Sequence, residues 1–223
     1  MIYENPCIDN NHIKIHNIRL QFERNGIFLI KGTNGSGKTT LIERIVFDED
    51  ISHYRFDDEN ETVVCKKHKE RLFTYVPQQT PYSQVRVEKY IKKLNKRVIT
   101  DEIRSYLSLF GIPESFLKKR FCYLSGGEQK KICIISALLK KTPYLFLDEP
   151  TNCMDDSSVE LLTRVLVQEG KNRKIIIVTH DPRLASINGN TLQLDNGFVK
   201  QLSDSKEDYR NISQMKIPEI TIP

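Results

Sequence analysis

Apolar residues near the start of the chain come in short, partly alternating runs. Ile13, Ile15, Ile18, Leu20 and Phe22 mark a β-rich opening segment that closes at the turn pair Asn25-Gly26. Residues 27–31 (IFLIK) form an apolar run that stops at a glycine loop, 32–37. Helical spacing then runs from 38 to about 47. Residues 72–76 read as a strand ended by Pro77-Gln78, and from about 85 to 119 the spacing is helical. A second helix is expected over 125–140, a buried-type strand at 144–147, a helix at 157–168 and an apolar strand at 174–178. Residues 192–202, broken by Asn196-Gly197, carry a hairpin signal. Strands alternating with helices predict an α/β fold with a largely parallel sheet.

The stretches between these elements are polar. Residues 48–61 are acidic and 66–71 basic, and both read as solvated connections; 204–223 reads as a tail. The chain has 223 residues, 39% hydrophobic and 28% charged, enough apolar material for one packed domain and too much for global disorder. Its net charge of +5 comes from basic residues interleaved with acids, which favours a solvated surface over a nucleic-acid footprint. Cys7, Cys65, Cys122, Cys133 and Cys153 show no zinc-like spacing and read as reduced thiols. No run approaches the ~18 apolar residues of a membrane span, and the opening residues do not resemble a signal peptide. Any membrane role is expected to come through a partner.

Gly32-Thr-Asn34-Gly35-Ser36-Gly37-Lys38-Thr39 fits the phosphate-loop pattern G-x-x-x-x-G-K-[ST], with Thr40 following. Glycines let such a loop curl so that its N–H groups face phosphate oxygens beside a helix start. Lys38 would reach the β- and γ-phosphates, and the Thr39 hydroxyl would ligate Mg²⁺. The run 144–147 ends in Asp148-Glu149, two carboxylates at the C-terminal end of a strand, where ligands of α/β sheets collect. Asp148 suits the metal and Glu149 the attacking water. Ser125-Gly126-Gly127-Glu128 has two readings. It is a helix capping box, and it is also an outward-facing anion site of bare N–H groups and a hydroxyl.

GTNGSGKTT, VPQQ, LSGGE, YLFLDEPT and VTHD, in this order from about Ile13 to Leu202, resemble the ATP-binding cassette (ABC) ATPases. The resemblance implies a P-loop NTPase core with a mostly parallel sheet, an antiparallel β region at the start and an inserted small helical lobe. It puts the core at 1–79 and 120–203, the lobe at about 80–119 and the tail at 204–223. Gln78 would then sense Mg²⁺ or water, His180 would contact the γ-phosphate and Asp155 would communicate across a dimer. Three departures stand out. The opening strand is abbreviated, leaving Tyr3 as the best candidate to stack on adenine. Asn152-Cys153-Met154 replaces a small-residue run, and Lys131 replaces an arginine common after the signature.

The resemblance further implies ATP and Mg²⁺ as ligands and a head-to-tail pair of cassettes, with Ser125–Glu128 of one closing over ATP held by the other. With the catalytic motifs present, a homodimer would have two active sites. The expected role is to power a separate transmembrane permease from the cytoplasmic side, with export of a peptide, bacteriocin or drug favoured over uptake. The alternative is a soluble ABC ATPase such as one of iron–sulfur assembly. A non-catalytic scaffold would be favoured by loss of Glu149 or His180, and both are present.

Overall fold

The computed structural model describes residues 1–10, 13–56, 65, 68–96, 98–185, 187 and 189–202. The expected tail at 204–223 lies outside the described residues, as do residues 57–61 of the acidic stretch and 66–67 of the basic run.

β3 (Gly26–Lys31), β5 (Phe73–Val76), β6 (Tyr144–Asp148) and β7 (Lys174–Val178) pair in parallel in the order β3-β7-β6-β5. Their side chains alternate between two cores because successive strand residues face opposite ways. In β6, Tyr144 and Phe146 join one apolar cluster while Leu145 and Leu147 join the other. A strand buried on both faces reads as a continuous apolar run, which is why 144–147 shows no polar alternation.

The first cluster receives α1 (Lys38–Phe47) through Leu41, Ile42 and Ile45. The second receives α4 (Gly126–Leu139) and α5 (Asp156–Glu169). Between β5 and α4 lie α2 (Val87–Leu94) and α3 (Thr100–Leu109), which bury Val87, Ile91, Ile103 and Tyr106 in that second cluster. The short helix α6 (Pro182–Ala185) follows β7. β8 (Asn190–Asp195) and β9 (Phe198–Leu202) form the expected hairpin. Asn196 and Gly197 both have positive φ, 47° and 77°, as a two-residue turn matching strand twist requires.

The opening differs from the abbreviated start expected. β1 (Ile2–Asn10) is nine residues long and pairs antiparallel with β2 (Ile13–Gln21), placing Tyr3 opposite Leu20. β4 (Tyr54–Arg55) adds to the outer edge of β1. Part of the acidic stretch is therefore structural rather than solvated: Asp48 and Tyr54 are buried, and the Lys69 ammonium donates to the Tyr54 hydroxyl (2.5 Å) and to the Asp48 carbonyl.

Candidate nucleotide site

β3 ends at Lys31 and the chain turns through 32–37 directly into α1. Gly37 stands at φ 99°, and a Cβ there would lie 2.7 Å from Ile13 Cγ2, so both conformation and space require glycine. No side chain caps the first turn of α1. Bare N–H groups and the positive end of the helix dipole together make an anion site. Lys38, at the first helical position, curls back so that Nζ donates to the carbonyls of Gly32 (3.0 Å) and Thr33 (2.8 Å). The ammonium thus lies across the loop it starts from, where a phosphate would compete with those carbonyls.

Behind the loop, the Thr39 hydroxyl donates to Asp148 Oδ2 at 2.7 Å. Asp148 ends β6 with no exposed surface, and its Oδ1 is buried without a hydrogen-bond partner, as is Ser36 Oγ. Burial pushes the Asp148 carboxyl up from its ordinary range, against the Thr39 hydrogen bond. A buried, partnerless carboxylate oxygen is costly unless something else satisfies it.

Glu149 follows at φ 44°, an unusual conformation for a non-glycine residue, held by its N–H donating to the Val178 carbonyl at 2.8 Å. That turn aims its carboxylate at the end of β7, where Oε1 lies 2.7 Å from His180 Nδ1. The His180 N–H also donates to Glu149 Oε2 at 3.4 Å. Strain at a position of this kind persists only where the surroundings enforce it, and such positions cluster at working sites.

Asn34, Gly35, Gly37, Lys38, Thr39, Thr40, Gln78, Glu149 and His180 line one cavity of about 320 Å³, together with Ile13 and Val178. Five separate segments of sequence meet there. Ser125–Glu128 do not line it. They form the capping box of α4: Glu128 N–H donates to Ser125 Oγ (3.3 Å) and Ser125 N–H to Glu128 Oε2 (2.7 Å). Ser125 and Gly126 are exposed, and a Cβ on Gly127 would come within 2.4 Å of the Cys153 carbonyl. Asp155 caps α5, accepting from Ser158 N–H (2.8 Å) and the Ser157 hydroxyl (2.6 Å), bonds that hold its carboxyl well below the usual range.

Tyr3 is a correction. Its ring has no exposed surface, sits 5.1 Å from the Tyr54 ring, and donates through its hydroxyl to Asp48 Oδ2 at 2.7 Å. A ring sealed in a core cannot stack on a base. Ile13, at the start of β2, is the apolar side chain beside the loop instead. Lys130 is the site neighbour that sequence reasoning passed over: it is 2% exposed, and its ammonium reaches the carbonyls of Pro77, Gln78 and Asp148. Its only signal was its helical spacing, four and eight residues before Ile134 and Leu138, which α4 also buries.

A profile described as "ABC transporter" matches residues 15–152, more than half of the chain. The chain belongs to the ABC transporter family. It is 30% identical to a spermidine/putrescine import ATP-binding protein of Fusobacterium nucleatum subsp. nucleatum, over 87% of this chain and 54% of that protein. It is 26% identical to the energy-coupling factor transporter ATP-binding protein EcfA2 of Staphylococcus aureus, over 95% of this chain and 80% of that protein. The chain spans about half the length of the import ATP-binding proteins it matches. Among solved structures, an ATP-binding subunit of an ABC transporter superposes with a TM-score of 0.74 at 21% identity, over 95% of this chain and 92% of that one. A dimeric ATP-binding cassette in a post-hydrolysis state bound to ADP and Pi gives 0.66 at 20% identity, over 92% of this chain and all of that one. These likenesses show the α/β fold of an ABC ATPase cassette. The two named relatives are an import protein and an energy-coupling factor protein, and neither lends support to the expected direction of export.

Proposed function

We propose that this ABC cassette binds Mg-ATP in the cavity between 32–40, Gln78, Glu149 and His180, and hydrolyses it when paired head-to-tail with a second copy. The observation that carries the reading is a separation. The phosphate loop, Gln78, Glu149 and His180 converge on one cavity, while Ser125–Glu128 stand outside it at a helix start whose first residues, Ser125 and Gly126, are exposed. Two copies, each offering its exposed helix start to the other's cavity, would complete two sites.

In that arrangement Lys38 exchanges the Gly32 and Thr33 carbonyls for the β- and γ-phosphates. Thr39 and the partnerless Asp148 Oδ1 fit a hard divalent cation, which takes oxygen ligands and is often held by one carboxylate plus phosphates. Mg²⁺ bound there would neutralise phosphate charge. Glu149 takes the proton of the attacking water, and the His180 ring N–H, donating to Glu149, fixes the carboxylate's orientation. Gln78, on the exposed strap after β5, lines the same cavity. Asp155, exposed at the start of α5 and two residues after the Cys153 that packs against Gly126 and Gly127, would face the second cassette.

The cycle would drive a separate transmembrane permease, which would hold the cassette at the cytoplasmic face of the membrane. Residues 80–119 form the lobe that receives it. A groove of about 630 Å³, away from the nucleotide cavity, runs between β5, the end of α1 and the lobe, and is lined by Tyr75, Pro77, Tyr90, Leu94, Lys69 and Lys140 among others. Phe47 and Leu94 on its rim are 63% and 48% exposed, and Tyr82 nearer the strap is 79% exposed. Apolar rings and aliphatic chains left in water beside a groove suit an amphipathic segment of a partner. No described helix is long and apolar enough to cross a membrane.

The test is phosphate release by the purified chain with and without Mg²⁺, alongside ATP-dependent dimerisation by size-exclusion chromatography. Absence of Mg²⁺-dependent hydrolysis at any protein concentration would end this reading.

A further inference from the structure

Lys130 is a buried cation whose ammonium is met by main-chain carbonyls. It lies in the second turn of α4, five residues after Ser125, and is 2% exposed. Its Nζ donates to the carbonyls of Pro77 (2.8 Å), Gln78 (2.9 Å) and Asp148 (3.4 Å). An ammonium has three N–H donors and no acceptor, and here three carbonyls meet it. Burial pulls its pKa down, against the charges of Asp148 and Glu149. A methionine would fill much the same space without that desolvation cost, so packing alone does not explain a lysine.

The three carbonyls belong to two different pieces of the site. Pro77 and Gln78 open the strap that follows β5, and Asp148 ends β6 immediately before Glu149. The neighbouring residue adds a second tie to the same strap: the Thr80 hydroxyl donates to Gln129 Oε1 at 2.9 Å, and Gln129 Nε2 donates to the Leu124 carbonyl at 3.0 Å. One turn of α4 therefore holds the strap at Gln78 and at Thr80, and holds the end of the acidic strand as well. The Gln78 main chain cannot shift relative to the Asp148–Glu149 pair without breaking a bond to Lys130.

We propose that Lys130 is a positioning residue, whose ammonium sets the Gln78 strap against Asp148 and Glu149 so that Gln78 faces the reacting phosphate. The inference rests on the ATPase reading for its kinetic consequence, though not for the clamp itself. The side chain does not line the nucleotide cavity. It acts through where it holds two backbone segments.

Two measurements on the full chain test it. In K130M, hydrogen exchange of the 77–82 segment should rise on the order of tenfold, because two bonds to its anchor are gone, while β3 and β7 keep their protection. In steady-state kinetics K130M should lower kcat by about tenfold to a hundredfold, as small misplacements of reacting groups do. KM for ATP should stay within about threefold. The Q78A change should remove most of that effect, so that Q78A/K130M is within about twofold of Q78A. K130Q, which keeps two donors, should recover part of the loss, and it carries the same cycle if K130M does not fold. Losses that multiply across the cycle, a kcat within twofold of wild type, or unchanged exchange at 77–82 would overturn the proposal. Wild-type protein without Mg²⁺-ATPase activity would instead remove the ATPase reading, and exchange at 77–82 would still decide for or against the clamp.

Discussion

Glu149 Oε1 and His180 Nδ1 lie 2.7 Å apart across the ends of two adjacent parallel strands, β6 and β7. The pair is set by backbone: Glu149 N–H is bonded to the Val178 carbonyl, two residues before His180. E149Q keeps the size of the side chain and removes its basicity. It should retain ATP binding and slow hydrolysis by roughly 10²–10⁴-fold, the range for losing a general base. ATP should then hold two cassettes together long enough to elute as a dimer. Full turnover by E149Q would exclude Glu149 as the base.

Lys38 bridges two carbonyls of its own loop and contributes a positive charge there. K38A should weaken Mg-ATP binding by an amount calorimetry resolves, at least ~1.5 kcal/mol, as for a charged hydrogen bond. Equal affinities in variant and wild type would sink the phosphate-loop assignment. D148N should leave ATP binding without Mg²⁺ nearly intact and remove the gain that Mg²⁺ brings, because it alters the oxygen pair shared with Thr39.

Most of this fold was legible because its strands and helices announce themselves by different periods. Residues 38–47 and 174–178 match α1 and β7 residue for residue. What could not be read was β1, since Ile2–Asn10 shows little alternation of apolar and polar residues, and its burial depends on pairing with β2 and β4. Tyr3 was misplaced for that reason: an aromatic near the start of the chain looked available, and tertiary structure consumed it. The site was legible where chemistry demands a residue type, as at Lys38, Thr39, Asp148 and Glu149. Lys130 was not, because its role is fixed by three carbonyls that only folding brings together.

Tyr3 gives a stability prediction in place of a binding one. Y3A should destabilise the chain by about 3–5 kcal/mol, the range for removing a buried ring, and leave relative affinities for ATP and bare triphosphate unchanged. Y3F should cost about 1–3 kcal/mol through its effect on Asp48. Burial alone would push the Asp48 carboxyl up, yet hydrogen bonds from Tyr3 and His53 outweigh it and hold it below its ordinary value. A depressed folded-state pKa contributes stability that is present above the unfolded value, near 3.8, and is lost as pH falls through the folded one. Acid unfolding of wild type should thus steepen below about pH 4, and D48N should flatten that limb. An acid limb unchanged by D48N would show that other carboxylates govern it.

The final prediction concerns the surface that meets a permease. Tyr82 is 79% exposed, its hydroxyl accepting from Gln84 Nε2 (2.9 Å), and Leu94 is 48% exposed on the rim of the large groove. Neither lines the nucleotide cavity. Each therefore exposes apolar surface that the chain's own core does not use. A charge placed on such a surface costs little in water and a great deal inside an apolar interface. Y82E and L94E should leave basal ATPase activity within about twofold and the melting midpoint within a few degrees, as surface substitutions usually do. Co-purification with the permease, and stimulation by it, should fall by at least tenfold, as truncation of a buried interface anchor does. If these residues only covered the lobe's core, the melting midpoint would drop together with partner binding. Variants that melt like wild type and still bind the permease normally would place the docking surface elsewhere on the cassette.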